Sequence, residues 1–163
     1  MSDDNKRLAR RLLEIIETGE LESADEIISP EFRDHPADGD SPGASAAGPE
    51  AFKQIAMRLR TAFAQLHYEE QDAIAEGDKV VLRTVMRGRH EGKFGPFPPT
   101  GRSFAQQQTH TWRIADGKVA DHWATRDDLG LLRQLGFLPP RPAAIARMLI
   151  NRLKGARGQA SHS

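Results

Sequence analysis

The chain contains no cysteine. Disulfides, thiolate nucleophiles and cysteine-based metal sites are thereby excluded. No run approaches the ~18 consecutive apolar residues of a membrane-spanning helix. The opening Met1-Ser2-Asp3-Asp4, followed by Lys6 and Arg7, has no apolar stretch of the signal type, so a cytoplasmic protein is expected. An excess of one charge is also missing: 23 basic residues face 23 acidic ones, a balance that gives no support to nucleic-acid binding. There is no Gly-x-Ser-x-Gly elbow, Walker loop, dinucleotide fingerprint or His-Glu-x-x-His pair. No cofactor and no metal are expected. His35, His110, His122 and Asp127 are the one set that a fold could bring together around a cation, and nothing in their spacing requires it.

What is present is 163 residues, enough for one domain with a real core. The zero net charge is a sum of unequal parts. Residues 141–163 hold Arg141, Arg147, Arg152, Lys154 and Arg157 and no acid, which leaves residues 1–140 with a net charge of −5. Residues 1–140 are therefore read as the domain and 141–163 as a basic C-terminal extension. Its segment 143–157 sets Ile145, Leu149, Ile150 and Leu153 beside bases. It can dock on its own domain or, as a weaker alternative, touch an anionic membrane or a partner.

Hydrophobic spacing places helices over 3–17, with Leu8, Leu12, Ile15 and Ile16 on one face, over 23–29, stopped by Pro30, and over 49–66, with Pro49 in the first turn. The intervening Asp34-His35-Pro36-Ala37-Asp38-Gly39-Asp40-Ser41-Pro42-Gly43 reads as an acidic surface loop, a potential lid. From residue 67 the pattern is that of strands: 67–75, 79–90, 103–114 and 118–127, with turns at Gly77-Asp78 and Asp116-Gly117 and a Gly/Pro loop over 92–101. Helices followed by meandering strands predict an α+β fold, helices packed on a curved antiparallel sheet that can enclose one space.

The strand from Ser103 places Phe104, Gln106, Gln108, His110, Trp112 and Ile114 on one face. Its apolar members mark this as the covered face, yet its centre is polar. Buried polar groups cost about 1–3 kcal/mol each unless they are bonded. A row of three predicts a polar-lined cavity, the alternative being a closed core in which these groups bond one another. His110 is the leading acid/base candidate, because imidazole titrates near neutrality. His35, at the start of the loop, stands at a possible pocket mouth. The following strand has two open registers. A two-residue turn at Asp116-Gly117 pairs His110 with Trp123 and turns Asp121, Trp123 and Asp127 inward. A three-residue turn pairs His110 with His122 and Gln108 with Ala124.

Four stretches remain: Ala75-Glu76-Gly77-Asp78-Lys79-Val80-Val81, Gly88-Arg89-His90-Glu91-Gly92, Pro98-Pro99-Thr100-Gly101, and Arg113 to Trp123. The last closes on Leu129-Gly130-Leu131-Leu132-Arg133-Gln134-Leu135-Gly136. Together they resemble the SnoaL-like polyketide cyclases. The likeness covers roughly residues 5–138. It implies a cone of curved sheet and helices around one deep pocket, similar to nuclear transport factor 2 and scytalone dehydratase. It also implies intramolecular aldol ring closure of an aromatic polyketide without metal or cofactor, and a homodimer. The family's pocket histidine falls on His110, and the histidine before its aromatic position falls on His122. Its catalytic aspartate falls on Ala124, a departure that leaves His110, His35 or Asp127 to move the proton. Gln106, Gln108, Trp112, His122 and Ala124 are then substrate contacts. The departure also keeps open a non-catalytic small-molecule binding module.

Overall fold

A computed structural model describes residues 2–35 and 46–139 of the chain. The loop beyond His35 and the segment 143–157 lie outside them. Helix α1, Ser2–Thr18, carries Asp3 and Asp4 in its first turn, where carboxylates favour the helix dipole. It buries Ala9, Leu12, Leu13, Ile15 and Ile16. Arg60 Nη1 donates to the carbonyls of Ile16 at 2.9 Å and Glu17 at 2.6 Å, satisfying two of the acceptors that a helix end leaves open.

The expected helix over 23–29 is shorter. A 3-10 turn at Leu21–Ser23 leads into α2, Ala24–Ile27, and Ile28 is already extended. Residues Ile28–His35 form strand β1, where the sequence pattern predicts the end of a helix and the start of a loop. Pro30 hides this strand, since proline lacks a ladder donor. It is tolerated because β1 lies at the sheet edge and its pairing is irregular between Ile28 and Arg33. Helix α3, Gly48–Ala62, ends four residues earlier than its periodicity predicts. Phe63 opens β2, Phe63–Glu76, opposite His90, so sheet pairing overrides the helical pattern.

Strand β3 is Lys79–His90, β4 is Ser103–Ala115 and β5 is Lys118–Arg126. The spatial order is β1-β5-β4-β3-β2. Strands β2 to β5 form the expected antiparallel meander, and β1 adds a parallel edge beside β5, making the sheet mixed. Helices α1 and α3 pack on the sheet. The core joins Leu12, Ile15, Phe32, Phe52, Phe63, Leu82, Met86 and Phe104.

The hairpin between β4 and β5 has the two-residue turn: Ala115 pairs with Lys118, and Asp116 and Gly117 both take positive φ, the geometry that matches strand twist. The register then shifts. Ile114 faces Val119 but Arg113 faces Asp121, so Ala120 is a bulge. Beyond it Trp112 pairs with His122, His110 with Ala124 and Gln108 with Arg126. Neither simple register is found. The tip follows the first, and the face that β5 presents inward is that of the second.

Where β5 departs, helix α4, Asp128–Leu135, takes over. Gln134 Oε1 accepts from the backbone of Ala105 at 2.8 Å and its Nε2 donates back at 2.9 Å, replacing the missing strand. Gly136, at φ 90°, closes the helix in the left-handed region. The run from Leu129 to Gly136 is thus an architectural latch.

Candidate functional site

The concave face of the sheet and the helices enclose a cavity of about 300 Å3. Its wall is apolar on the helix side, from Leu12, Ile16, Phe52 and Leu59, and polar on the sheet side. A larger hollow of about 690 Å3 lies outside the cone, between the start of α1 and the two hairpin tips. The hollow gathers the exposed Asp4–Arg7 ion pair and two turns but no buried acid/base group, so the chemistry belongs to the smaller cavity.

Strand alternation turns Gln106, Gln108, His110 and Trp112 of β4 inward, and all four are buried. The Ala120 bulge turns His122, Ala124 and Arg126 of β5 the same way. On β1, Asp34 is paired with His122 across the parallel edge. These side chains form an unbroken line of hydrogen bonds. Asp34 Oδ1 lies 2.7 Å from His122 Nδ1, and His122 Nε2 lies 3.0 Å from His110 Nδ1. His110 Nε2 lies 2.7 Å from Gln108 Oε1. Gln108 Nε2 donates to Gln106 Oε1 at 2.8 Å, and Gln106 Nε2 donates to Asp128 Oδ1 at 2.8 Å. The polar row on β4 is therefore bonded throughout, which removes the desolvation cost that its burial would otherwise carry.

Trp112 lies against both imidazoles, its ring centroid 5.2 Å from His110 and 5.3 Å from His122. Burial, with His122 and Arg126 nearby, holds the pKa of His110 well below the usual imidazole value. Tyr68 of β2 meets His110 edge-on at 6.2 Å. Burial pushes the pKa of its hydroxyl up, so Tyr68 stays a neutral donor. Arg126 brings a cation to this wall, 3.7 Å from Asp128.

Two of the expected site residues make their bonds elsewhere. His35 borders the cavity, but its imidazole is engaged on the other side of the sheet. Nε2 is 2.7 Å from Asp121 Oδ1, and Asp121 Oδ2 accepts from Arg113 Nε at 2.8 Å, while the His35 ring stacks on Trp123 at 4.7 Å. Asp127 points away from the cavity and caps α4, accepting from the Gly130 backbone at 2.8 Å. A β-bulge that would re-aim it inward is not found there. Ala124 does face the cavity, opposite His110, and leaves open space where a larger side chain would project.

Asp34, Tyr68, Arg126 and Asp128 are the polar wall residues that sequence reasoning misses. The sequence pattern places Asp34 in a loop, and only recognition of β1 as a strand parallel to β5 turns it inward. Tyr68 carries a signal, as the chain's one tyrosine, but its strand's alternation is broken by bulges on both sides. Among the described residues no three His, Asp or Glu side chains converge as a metal-binding group.

Comparison with known proteins places this geometry. The family model for SnoaL-like polyketide cyclase matches residues 6–135. Aklanonic acid methyl ester cyclase DnrD of Streptomyces peucetius is 38% identical over 136 residues, covering 83% of this chain and 92% of that protein. Nogalonic acid methyl ester cyclase of Streptomyces nogalater is 38% identical over 120 residues, covering 73% and 87%. The structure of TsrD from Streptomyces laurentii superposes with a TM-score of 0.75 at 29% identity, covering 85% of this chain and 98% of that one. With its matched length, cone-shaped fold and enclosed polar wall, the chain belongs to the SnoaL-like polyketide cyclase family.

Proposed function

We propose that the protein closes a carbocyclic ring in a polyketide methyl ester by an intramolecular aldol reaction, with His110 as the residue that exchanges the proton. The substrate class comes from the relatives, which are named for aklanonic and nogalonic acid methyl esters. The observation that carries the reading is the buried His110, braced through His122 by Asp34 at the polar wall of a cavity whose helix side is mostly hydrocarbon. Such a cavity takes a flat apolar skeleton and confronts its oxygens with a few fixed polar groups.

In an aldol closure one C–H bond breaks and one C–C bond forms. The proton shed from carbon ends on the new alkoxide oxygen, and nothing is oxidised or lost. The activated carbon first gives its proton to water, and His110 Nε2 then delivers a proton to the alkoxide as the ring closes and is replenished from water. At rest this nitrogen is held by the Gln108 carboxamide, whose place the substrate oxygen takes. Charge developing on oxygen faces the Tyr68 hydroxyl and the Arg126 guanidinium, donors that the fold already holds at the cavity wall. The open space at Ala124 accommodates the folded chain.

The test is incubation of the purified protein with aklanonic acid methyl ester or its nogalonic counterpart, without added metal or cofactor. The expected result is a product of unchanged mass and altered retention, formed at a rate proportional to protein. Saturable binding with no isomer formed would instead assign the cavity to a binding module.

A further inference from the structure

The hydrogen-bond line runs between two carboxylates, and that fixes where its protons sit. A carboxylate only accepts. Asp128 must therefore receive the Gln106 NH2 group, which leaves Gln106 Oε1 to accept from Gln108 Nε2. Gln108 Oε1 is then an acceptor, and His110 Nε2 must carry a hydrogen. At the other end Asp34 accepts, so His122 Nδ1 carries a hydrogen as well. The contact that remains, His110 Nδ1 to His122 Nε2 at 3.0 Å, needs one more hydrogen. Whichever ring supplies it has both nitrogens protonated. With none, two lone pairs would face each other at bonding distance. The ring planes are only 17° apart and the centroids are separated by 5.3 Å, so the two facing nitrogens can share an N–H···N bond.

We propose that Asp34 and Asp128 are positioning residues that hold a single extra proton on the His110–His122 pair, shared along the bond between the two rings and available to substrate through His110 Nε2. Asp34 and Asp128 bring carboxylates to the two ends of the line, and Arg126 lies beside Asp128. Among the described residues, the remaining titratable or charged groups around the pair are His35 of β1, which bonds Asp121, Tyr68 from β2, Arg58 from α3 across the cavity, and Glu17 of α1, which accepts from the Tyr68 backbone. The Asp34 carboxylate at His122 Nδ1 places the resting proton on that ring. When Nε2 gives its hydrogen to an alkoxide, the His122 proton passes to His110 Nδ1. His110 is left with a lone pair at Nε2, and His122 remains neutral on Asp34. Water takes the proton of the activated substrate carbon before closure, and a proton from water restores the pair after it. This pair thereby does by relay what a carboxylate at position 124 would do directly.

The proposal deepens the cyclase reading for its role in turnover, but the proton count itself is measurable without substrate. Imidazole 15N NMR of the whole protein near neutral pH is expected to show one doubly protonated ring in the pair. Asp34→Asn is expected to lose that signature, and Asp34→Glu to restore it. Two neutral rings in the unmodified protein would overturn the proposal and leave ring closure standing. In turnover, Asp34→Asn is expected to move the alkaline limb of the pH–rate profile down by about one unit or more, the usual effect of removing a neighbouring carboxylate. An unmoved limb with only reduced amplitude or stability would mark Asp34 as a merely structural partner and overturn its assignment.

Discussion

The Asp34 carboxylate meets His122 Nδ1 at 2.7 Å across the parallel edge of the sheet, while its neighbour His35 bonds Asp121 on the opposite face. One residue of β1 thus completes the polar wall of the cavity, and the next ties down the outside of the same sheet edge. A single-residue slip of β1 would exchange them.

Asp127 is assigned to helix capping and makes no contact with the cavity. Asp127→Ala is expected to lower stability by about 1 kcal/mol, the ordinary worth of an N-cap, and to leave kcat unchanged. Denaturant unfolding and steady-state rates on the same preparation check both halves. A large fall in kcat in a folded variant would return Asp127 to the reaction.

Position 124 opens onto the cavity opposite His110. A carboxylate placed there would stand where the family resemblance puts the acid. Ala124→Asp is expected to recover at least part of the rate lost in His110→Ala, visible as a faster double variant than single variant under identical substrate. No recovery would mean that the space at 124 is out of reach of the reacting carbon.

The aromatic cluster at the base of the cone is held by Phe63, whose ring meets Phe104 at 4.7 Å, Phe94 at 4.9 Å and His90 at 5.6 Å. Truncation to alanine leaves a cavity among neighbours that cannot collapse. Phe63→Ala is expected to cost about 3–5 kcal/mol in a denaturant titration.

Burial lowers the pKa of His90. The unfolded chain, with ordinary imidazoles, then binds more protons in acid than the folded one. Stability from this source is complete above the unfolded value of about pH 6.5 and is lost as the pH falls below it. His90 Nδ1 contacts Thr100 Oγ1 at 3.2 Å, while Nε2 is buried without a partner among the described residues. Melting temperature against pH is expected to fall below about pH 6.5, and less steeply in His90→Phe.

How far the sequence can be read depends on local regularity. The alternation of β4 is legible because nothing interrupts it from Phe104 to Ile114. Helix α1 is legible because its apolar spacing is intact and Gly19 follows its end. The faces of β5 are not decided by the Asp116-Gly117 turn, since a bulge at Ala120, a residue with no distinguishing chemistry, reverses everything beyond it. Strand β1 is hidden by Pro30, and with it the inward orientation of Asp34. The family resemblance puts His122 on the face that the structure shows, while Asp127 and His35 bond elsewhere and Asp34 stands beside His122 instead. The Leu129–Gly136 run resembles a functional signature and is the latch by which Gln134 closes the end of β4.

The central claim is that His110 transfers the proton during ring closure. Single-turnover rates for His110→Ala, with methyl ester substrate in contact with excess protein, test it most directly. The account predicts a fall of about 100-fold or more in the closure rate with substrate binding nearly unchanged. A closure rate equal to that of the unmodified protein would contradict it.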